Sequence, residues 1–271
     1  MRIVIMGPAG KMGKLLVQEA LKRRRDFMIV GGVVPRGREY VRQDIGKATG
    51  TGFVGATLYD ELEWCIPVAE GVIDFTTPEC TMDTVKKCVE YMRPLVIGTT
   101  GFEDIDVKRI EHAARKIPIL MAANTSKTTN LMYDFVERAA KVLDDADVEI
   151  IDMHDRTKND APSGTAKEMG KIIANVRGQE FNEVADYGRN SRREEGHIGF
   201  HAVRAGDISS THTVIFGREG ERLEITHRAY NWSTYAQGAL DAMLFLKGKE
   251  PGLYTFKDVL EEKARMAEEG K

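Results

Sequence analysis

The chain has 271 residues, 42% of them hydrophobic and 30% charged, which suits a folded protein with a sizeable core, long enough for two modest domains, and excludes a disordered or fibrous class. Lys and Arg (39) nearly balance Asp and Glu (42), and the net charge of −3 leaves no electrostatic footprint for nucleic acid or an anionic membrane. Cys65, Cys80 and Cys88 are too few and too irregular for a disulfide framework or a structural zinc site, no apolar run approaches the ~20 residues of a membrane span, and the short apolar start is no secretory signal; a soluble cytoplasmic protein acting on a small molecule is expected.

Residues 3–6 read as a buried strand, followed at once by Gly7-Pro8-Ala9-Gly10-Lys11-Met12-Gly13 and a helical run over 14–24. Strand, glycine turn and helix N-terminus in that order make a pyrophosphate seat, because glycines let the backbone come close and the first helical N–H groups are unpaired. The basic run at 22–25 is expected to be the solvated end of that helix. A second strand, 27–34, ends in Pro35-Arg36-Gly37-Arg38. NAD-preferring domains place an acid there for the ribose 2′-hydroxyl, whereas arginine suits a 2′-phosphate; NADPH is therefore favoured, with NADH possible and Arg36 as the leading contact. Residues 42–57 are rich in small and polar types and read as an irregular, mobile connection. Strands at 72–75, 95–97 and 117–122 alternate with helices at 81–91 and 105–116. That alternation implies a doubly wound parallel sheet of Rossmann type, with ligands beyond the carboxyl ends of its strands. The polar loops at 76–79, 98–101 and 123–124 all fall at that edge.

A helix over 131–143 leads out of the sheet into a stretch that combines several chemical groups. Val148, Ile150, Ile151 and Met153 form a partly buried strand that runs into His154, Asp155, Arg156 and Lys158, then Asp160-Ala161-Pro162-Ser163-Gly164-Thr165 at a helix start. Free N–H groups there, with the Ser163 and Thr165 hydroxyls, offer a seat for a carboxylate or phosphate. An imidazole, an ammonium and an anion seat within a dozen residues suggest proton transfer to a bound acid, although a capped helix after a solvated turn has the same local pattern. Strands at 198–203, 212–216 and 222–227, with a turn at 218–220, imply an antiparallel or mixed sheet in a second, α+β domain. The helix at 234–246 and the tail at 251–266 are expected to return to the first domain. His112, His197, His201, His212 and His227 are expected to be structural, and no spacing suggests a metal site.

Taken together these residues resemble the 4-hydroxy-tetrahydrodipicolinate reductase family of the diaminopimelate route to lysine. The resemblance covers nearly the whole chain and rests on the glycine turn at 7–13, Asp74-Phe75-Thr76, Gly98-Thr99-Thr100-Gly101-Phe102, His154 with Lys158, Asp160-Ala161-Pro162-Ser163-Gly164-Thr165-Ala166, Ile198-Gly199-Phe200 and Arg204-Ala205-Gly206-Asp207. It implies a dinucleotide-binding domain of 1–125 with 236–271, a substrate-binding and oligomerisation domain of 126–235, and a homotetramer. The implied activity is NAD(P)H-dependent reduction of a cyclic imine or enamine dicarboxylate. Gly7, Gly10, Lys11, Met12, Gly13, Arg36, Gly98, Thr100, Ala122, Asn124 and Thr125 would then hold the cofactor. His154 would be the proton donor, with Lys158 assisting it or orienting a carboxylate, and Asp155, Ser163, Gly164 and Thr165 would lie against the substrate.

The chain departs from the family pattern where two adjacent histidines are usual and it has His154-Asp155, at Thr125 to Asn130, and at Asn231-Trp232 in place of a serine-arginine pair. Two like charges ~4 Å apart at an effective dielectric of ~20 repel by about 4 kcal/mol, so Asp155 must turn away from a substrate carboxylate or pair with Arg156 or Lys158. A reductase of a different imine, an amino-acid dehydrogenase and a non-catalytic nucleotide-binding protein are the alternatives these departures leave open.

Overall fold

Ile3, Val4 and Ile5 are wholly buried because the strand they form, β1 (Arg2–Met6), sits inside a parallel sheet covered on both faces. A computed structural model describes residues 1–270 and divides the chain into two units, Met1–Lys127 with the chain from Trp232 onward, and Thr128–Asn231.

In the first unit β1 is followed by α1 (Lys11–Lys22), β2 (Met28–Val33), α2 (Ile45–Thr49), β3 (Leu58–Tyr59), β4 (Gly71–Asp74), α3 (Pro78–Glu90), β5 (Leu95–Ile97), α4 (Asp104–Ala114) and β6 (Pro118–Met121). In the second unit α5 (Lys127–Val142) precedes β7 (Asp147–His154), α6 (Gly164–Val176), α7 (Phe181–Val184), β8 (Ala185–Tyr187), β9 (Ile198–Arg204), β10 (Thr211–Arg218) and β11 (Glu221–Arg228). The chain then completes the first unit with α8 (Ser233–Leu246), β12 (Gly252–Tyr254) and α9 (Phe256–Glu268).

The first sheet has the order β12-β6-β5-β4-β1-β2-β3, and every pair in it is parallel. Strand residues alternate between faces, so Ile3, Ile5 and Ile73 join one core with Leu16 of α1 and Leu240 of α8, while Val4, Val72 and Leu95 join another with Val85 of α3 and Ile110 of α4. Asp241 of α8 anchors the return of the chain: Arg23, Lys127 and Lys263 reach its carboxylate at 2.8, 2.9 and 3.0 Å. Burial alone would raise that carboxyl, but the three cations bring it down to about 2. Arg23 therefore leaves the solvated run expected at 22–25, whereas Arg24 and Arg25 are exposed.

The connection at 42–57 is ordered, contrary to the sequence expectation. Asp44 caps α2 by accepting from the Gly46 amide at 2.8 Å, and also accepts from the amides of Val54, Gly55 and Ala56. Gly50 closes the helix at φ +74°. One carboxylate thus ties both ends of the loop together.

The second unit holds a mixed sheet, order β11-β10-β7-β9-β8, with β7, β9 and β8 parallel and β10 and β11 antiparallel to their neighbours. Val148, Ile150, Phe200, Val214 and Phe216 pack on one face against Met132 and Val136 of α5 and Met169 and Ile173 of α6. The same alternation carries Asp152 and His154 onto that face at the end of β7, opposite His212 of β10 and Arg204 of β9.

Candidate active site

Four polar side chains of three strands meet where the apolar core of the second unit ends. The Asp152 carboxylate is fully buried, and Arg204 reaches its Oδ2 at 2.9 Å while the Ser163 amide donates to the same oxygen at 2.7 Å. Its Oδ1 lies 2.9 Å from His154 Nδ1 and 3.3 Å from His212 Nε2. Both imidazole contacts are oblique, so they act through closeness of charge more than through ideal hydrogen-bond direction. Burial alone would push the Asp152 carboxyl up; contacts from His154, His212, Arg204 and the Ser163 amide outweigh it and hold the group far below the usual carboxylate range. Burial pushes His212 the other way, toward the neutral imidazole, with Asp152 only partly opposing it. His227, the cross-strand partner of His212, is likewise lowered by burial and by His212, and its ring stacks on that of His212 at 6.2 Å.

His154 is half-buried, its ring edge-on to His212 at a centroid distance of 5.2 Å, and its Nε2 faces Ser210 Oγ at 3.1 Å. Among the site residues expected from sequence, His154 therefore stands inside the cluster. Asp152 and His212 were not singled out as functional; the available signal was a carboxylate in the alternating series Val148, Ile150, Asp152, which places it on the covered face. Three donor atoms of Asp152, His154 and His212 lie within 4.8 Å of one another, a trio no sequence spacing suggested. The Arg204 guanidinium on the same carboxylate repels a cation there, so hydrogen bonding fits the cluster better than a metal.

Beyond β7 the loop settles its own charges. Asp155 Oδ1 accepts from the Thr157 amide at 2.8 Å and from the Thr157 hydroxyl, and these bonds lower its carboxyl. It pairs with neither Arg156 nor Lys158; Lys158 instead meets Asp160 at 2.7 Å. The charge of Lys158 is still felt at His212. Ser163, expected to offer its hydroxyl to an anion, is turned inward: Oγ accepts from the Ala166 amide at 3.2 Å as the cap of α6 and lies 3.1 Å from His212 Nε2. The first turn of α6 leaves Gly164 exposed and Thr165 half-buried, and a side chain at Gly164 would meet nothing within 4 Å.

In the first unit the glycine turn has the geometry its sequence implied. Gly7 sits at φ +63°, the Gly10 amide donates to Gly7 O at 3.0 Å, and a Cβ on Gly13 would lie 2.1 Å from Gly7 O. No side chain caps α1 at Gly10, so the first-turn amides suit a pyrophosphate. The Lys11 ammonium lies over the Trp232 ring, 3.4 Å from its centroid, which leaves the Lys11 backbone rather than its side chain for a phosphate. Met12 is half-buried against the core beside it. Arg36 is exposed and paired with Glu61. Gly98 is required by packing, since a Cβ there would meet the Phe75 ring at 2.0 Å, and Thr100, two residues on, is exposed. The Ala122 amide donates to Ile97 O at 3.0 Å, and Asn124 Oδ1 accepts from the Ser126 amide at 2.8 Å. Thr125, expected on the cofactor side, is buried with its hydroxyl donating to Tyr235 O at 2.7 Å, so its side chain is held within the first unit.

Comparison with known proteins gives this geometry a family. Residues 1–125 match the model of the dihydrodipicolinate reductase N-terminus, and residues 128–260 match that of its C-terminus. The chain belongs to the dihydrodipicolinate reductase family. A 4-hydroxy-tetrahydrodipicolinate reductase of Pseudomonas fluorescens is 43% identical over 264 residues, 96% of this chain and 98% of that protein. One from Hahella chejuensis is 42% identical over 263 residues, with the same shares covered. A dipicolinate-bound dihydrodipicolinate reductase from a Paenisporosarcina species superposes with a TM-score of 0.75 at 26% identity, over 94% of this chain and 97% of that one.

Membership carries the enzyme class with it: the chain is an NAD(P)-dependent oxidoreductase of this family. The expected parallel Rossmann-type sheet and mixed second sheet are both present. No helix among the described residues is long and apolar enough to cross a membrane.

Proposed function

We propose that the chain reduces 4-hydroxy-tetrahydrodipicolinate, a cyclic dicarboxylate, in the diaminopimelate route to lysine, with NADPH preferred and NADH accepted. When bound, the nicotinamide cofactor supplies the hydride. Gly7, Gly10, Met12 and Gly13 bind its pyrophosphate through the turn and the open first-turn amides of α1, and Arg36 meets the 2′-phosphate by exchanging its exposed pairing with Glu61. Gly98, Thr100, Ala122 and Asn124 line the nicotinamide side.

His154 gives the proton that must accompany the hydride, from Nε2, the nitrogen turned away from Asp152. The backbone at Gly164 and Thr165 holds one substrate carboxylate at the start of α6, and Lys158 swings from Asp160 to orient a carboxylate beside it. The observation that carries this reading is the junction of His154, whose side chain keeps 12% of its surface exposed, with a buried, anchored Asp152. Asp155 turns its Oδ1 to Thr157 rather than to the substrate side, which supports a dicarboxylate substrate although its charge remains in the loop.

We also propose that the enzyme is a cytoplasmic homotetramer. Ile151, Met153, Val203 and Ile215 are partly open on the face of the second sheet opposite its apolar core, interspersed with Glu149, His201 and Thr213, a mixed surface suited to another copy of the chain.

Oxidation of NADPH by freshly generated 4-hydroxy-tetrahydrodipicolinate, read at 340 nm, tests the substrate. Rapid turnover is expected; binding of NADPH without turnover would overturn it.

A further inference from the structure

We infer that Asp152 is a positioning residue for His154, its carboxylate charge beside Nδ1 favouring the ring form with the proton on Nδ1 so that Nε2 is the nitrogen that gives up the proton. The inference rests on His154 being the donor proposed above and concerns what orients it.

Three observations carry it. First, Asp152 is itself immobilised. Oδ2 is held by the Arg204 guanidinium and the Ser163 amide, and Arg204 is fastened in turn to the carbonyls of Asp152 and Asp160 at 3.1 and 2.6 Å. Second, Oδ1 is left for imidazole. The contact is oblique, yet at the 2.9 Å that separates Oδ1 from His154 Nδ1 a carboxylate repels a ring-nitrogen lone pair and attracts an N–H, which favours the proton on Nδ1. Third, the competing imidazole is kept out of the charge exchange. His212 is nearly inaccessible, burial holds it toward neutrality, and its ring stands edge-on to that of His154 at 5.2 Å.

The charged and titratable groups around His154 come from every neighbouring strand and loop: Asp152 and Asp155 on its own strand and just beyond it, Arg204 from β9, His212 from β10 backed by His227 from β11, and Lys158 with Asp160 from the loop. Asp152 is the carboxylate in direct contact with the ring, while Asp155 and Asp160 are turned to Thr157 and Lys158. In the reaction one proton leaves the imidazolium from Nε2 for the reduced ring, Nδ1–H stays in place, and a solvent proton restores Nε2. Only the Nε2–H bond of the protein is broken and re-formed. The arrangement has the logic of a carboxylate that fixes a catalytic histidine without taking its proton.

The test combines a measurement on the unaltered enzyme with two variants. Two-bond 1H–15N spectra of the wild type, recorded where the His154 ring carries a single proton, should show that proton on Nδ1; a proton on Nε2 overturns the inference without any substitution. In Asp152→Asn, kcat should fall on the order of 10²-fold with NADPH affinity unchanged, and the alkaline limb of the kcat/KM profile should move to lower pH by about one unit. Asp152→Glu, which keeps the carboxylate, should bring that limb back toward its wild-type position. An unmoved limb in Asp152→Asn overturns the positioning role. His154→Gln run alongside separates the two readings: lost turnover with intact NADPH binding upholds the donor, so an unmoved limb then counts against Asp152 alone, whereas full activity in His154→Gln overturns both.

Discussion

Arg204 reaches Asp152 at 2.9 Å across two parallel strands, and the carboxylate it meets has no solvent exposure. Removing one partner of a buried ion pair leaves the other charge uncompensated, at a cost on the order of 3–5 kcal/mol. Arg204→Met should therefore lower unfolding free energy by that order in urea at pH 7.5. A loss under about 1 kcal/mol would mean that the Ser163 amide and the imidazoles stabilise Asp152 without the guanidinium.

Acid should weaken the fold in two stages. His212 and His227 are lowered by burial from an ordinary value of 6.5, so below that pH the unfolded chain takes up protons the folded one refuses, and stability falls as pH falls. Asp152 is depressed in the folded state by its four contacts against the opposing effect of burial; its contribution is complete above 3.8 and is lost as pH drops below it. Urea midpoints at pH 7.5, 6.0 and 5.0 should decline in the wild type and decline less in His212→Gln with His227→Gln. Equal slopes in both proteins would contradict the first stage.

What the sequence made legible follows from the range of the interactions involved. The glycine turn was readable because its constraint is local: Gly7, Gly10 and Gly13 touch one another within a single turn. The apolar runs likewise gave β7 and β10 as strands, though not which face of each the core covers. The Asp152 cluster was not readable, because it depends on the register that sets residue 152 opposite residue 212, sixty positions away. His212 looks structural in isolation and gains its meaning from that pairing. The loop at 42–57 was misjudged for a related reason: its composition is that of a mobile segment, and its order comes from one side chain, Asp44, reaching amides up to twelve residues on. Ser163 shows the limit of matching residue type to role, since its hydroxyl is consumed inside the protein.

Cofactor choice should depend on Arg36. Its pairing with Glu61 is exposed, so breaking it costs under about 1 kcal/mol, and Arg36→Ala should leave thermal stability unchanged. NADPH should bind on the order of tenfold or more weakly, with NADH little affected. Equal effects on both cofactors, measured by fluorescence titration, would remove the 2′-phosphate contact.

Asp155 should act through charge at a distance. Asp155→Asn retains an oxygen for the Thr157 amide while removing the negative charge, so kcat/KM for the dianionic substrate should rise severalfold at low salt. The gain should shrink at high ionic strength, where exposed charges are screened over about 10 Å or less. A salt-independent change would point to altered loop conformation instead.

The central claim is that His154 delivers the proton. Its most direct test is kcat for His154→Gln against wild type at saturating NADPH and substrate, with the NADPH dissociation constant measured on the same preparation. The account predicts a loss of kcat on the order of 10²–10⁴-fold with cofactor affinity unchanged. A variant that turns over within a few-fold of wild type would contradict it and move the proton source to another group.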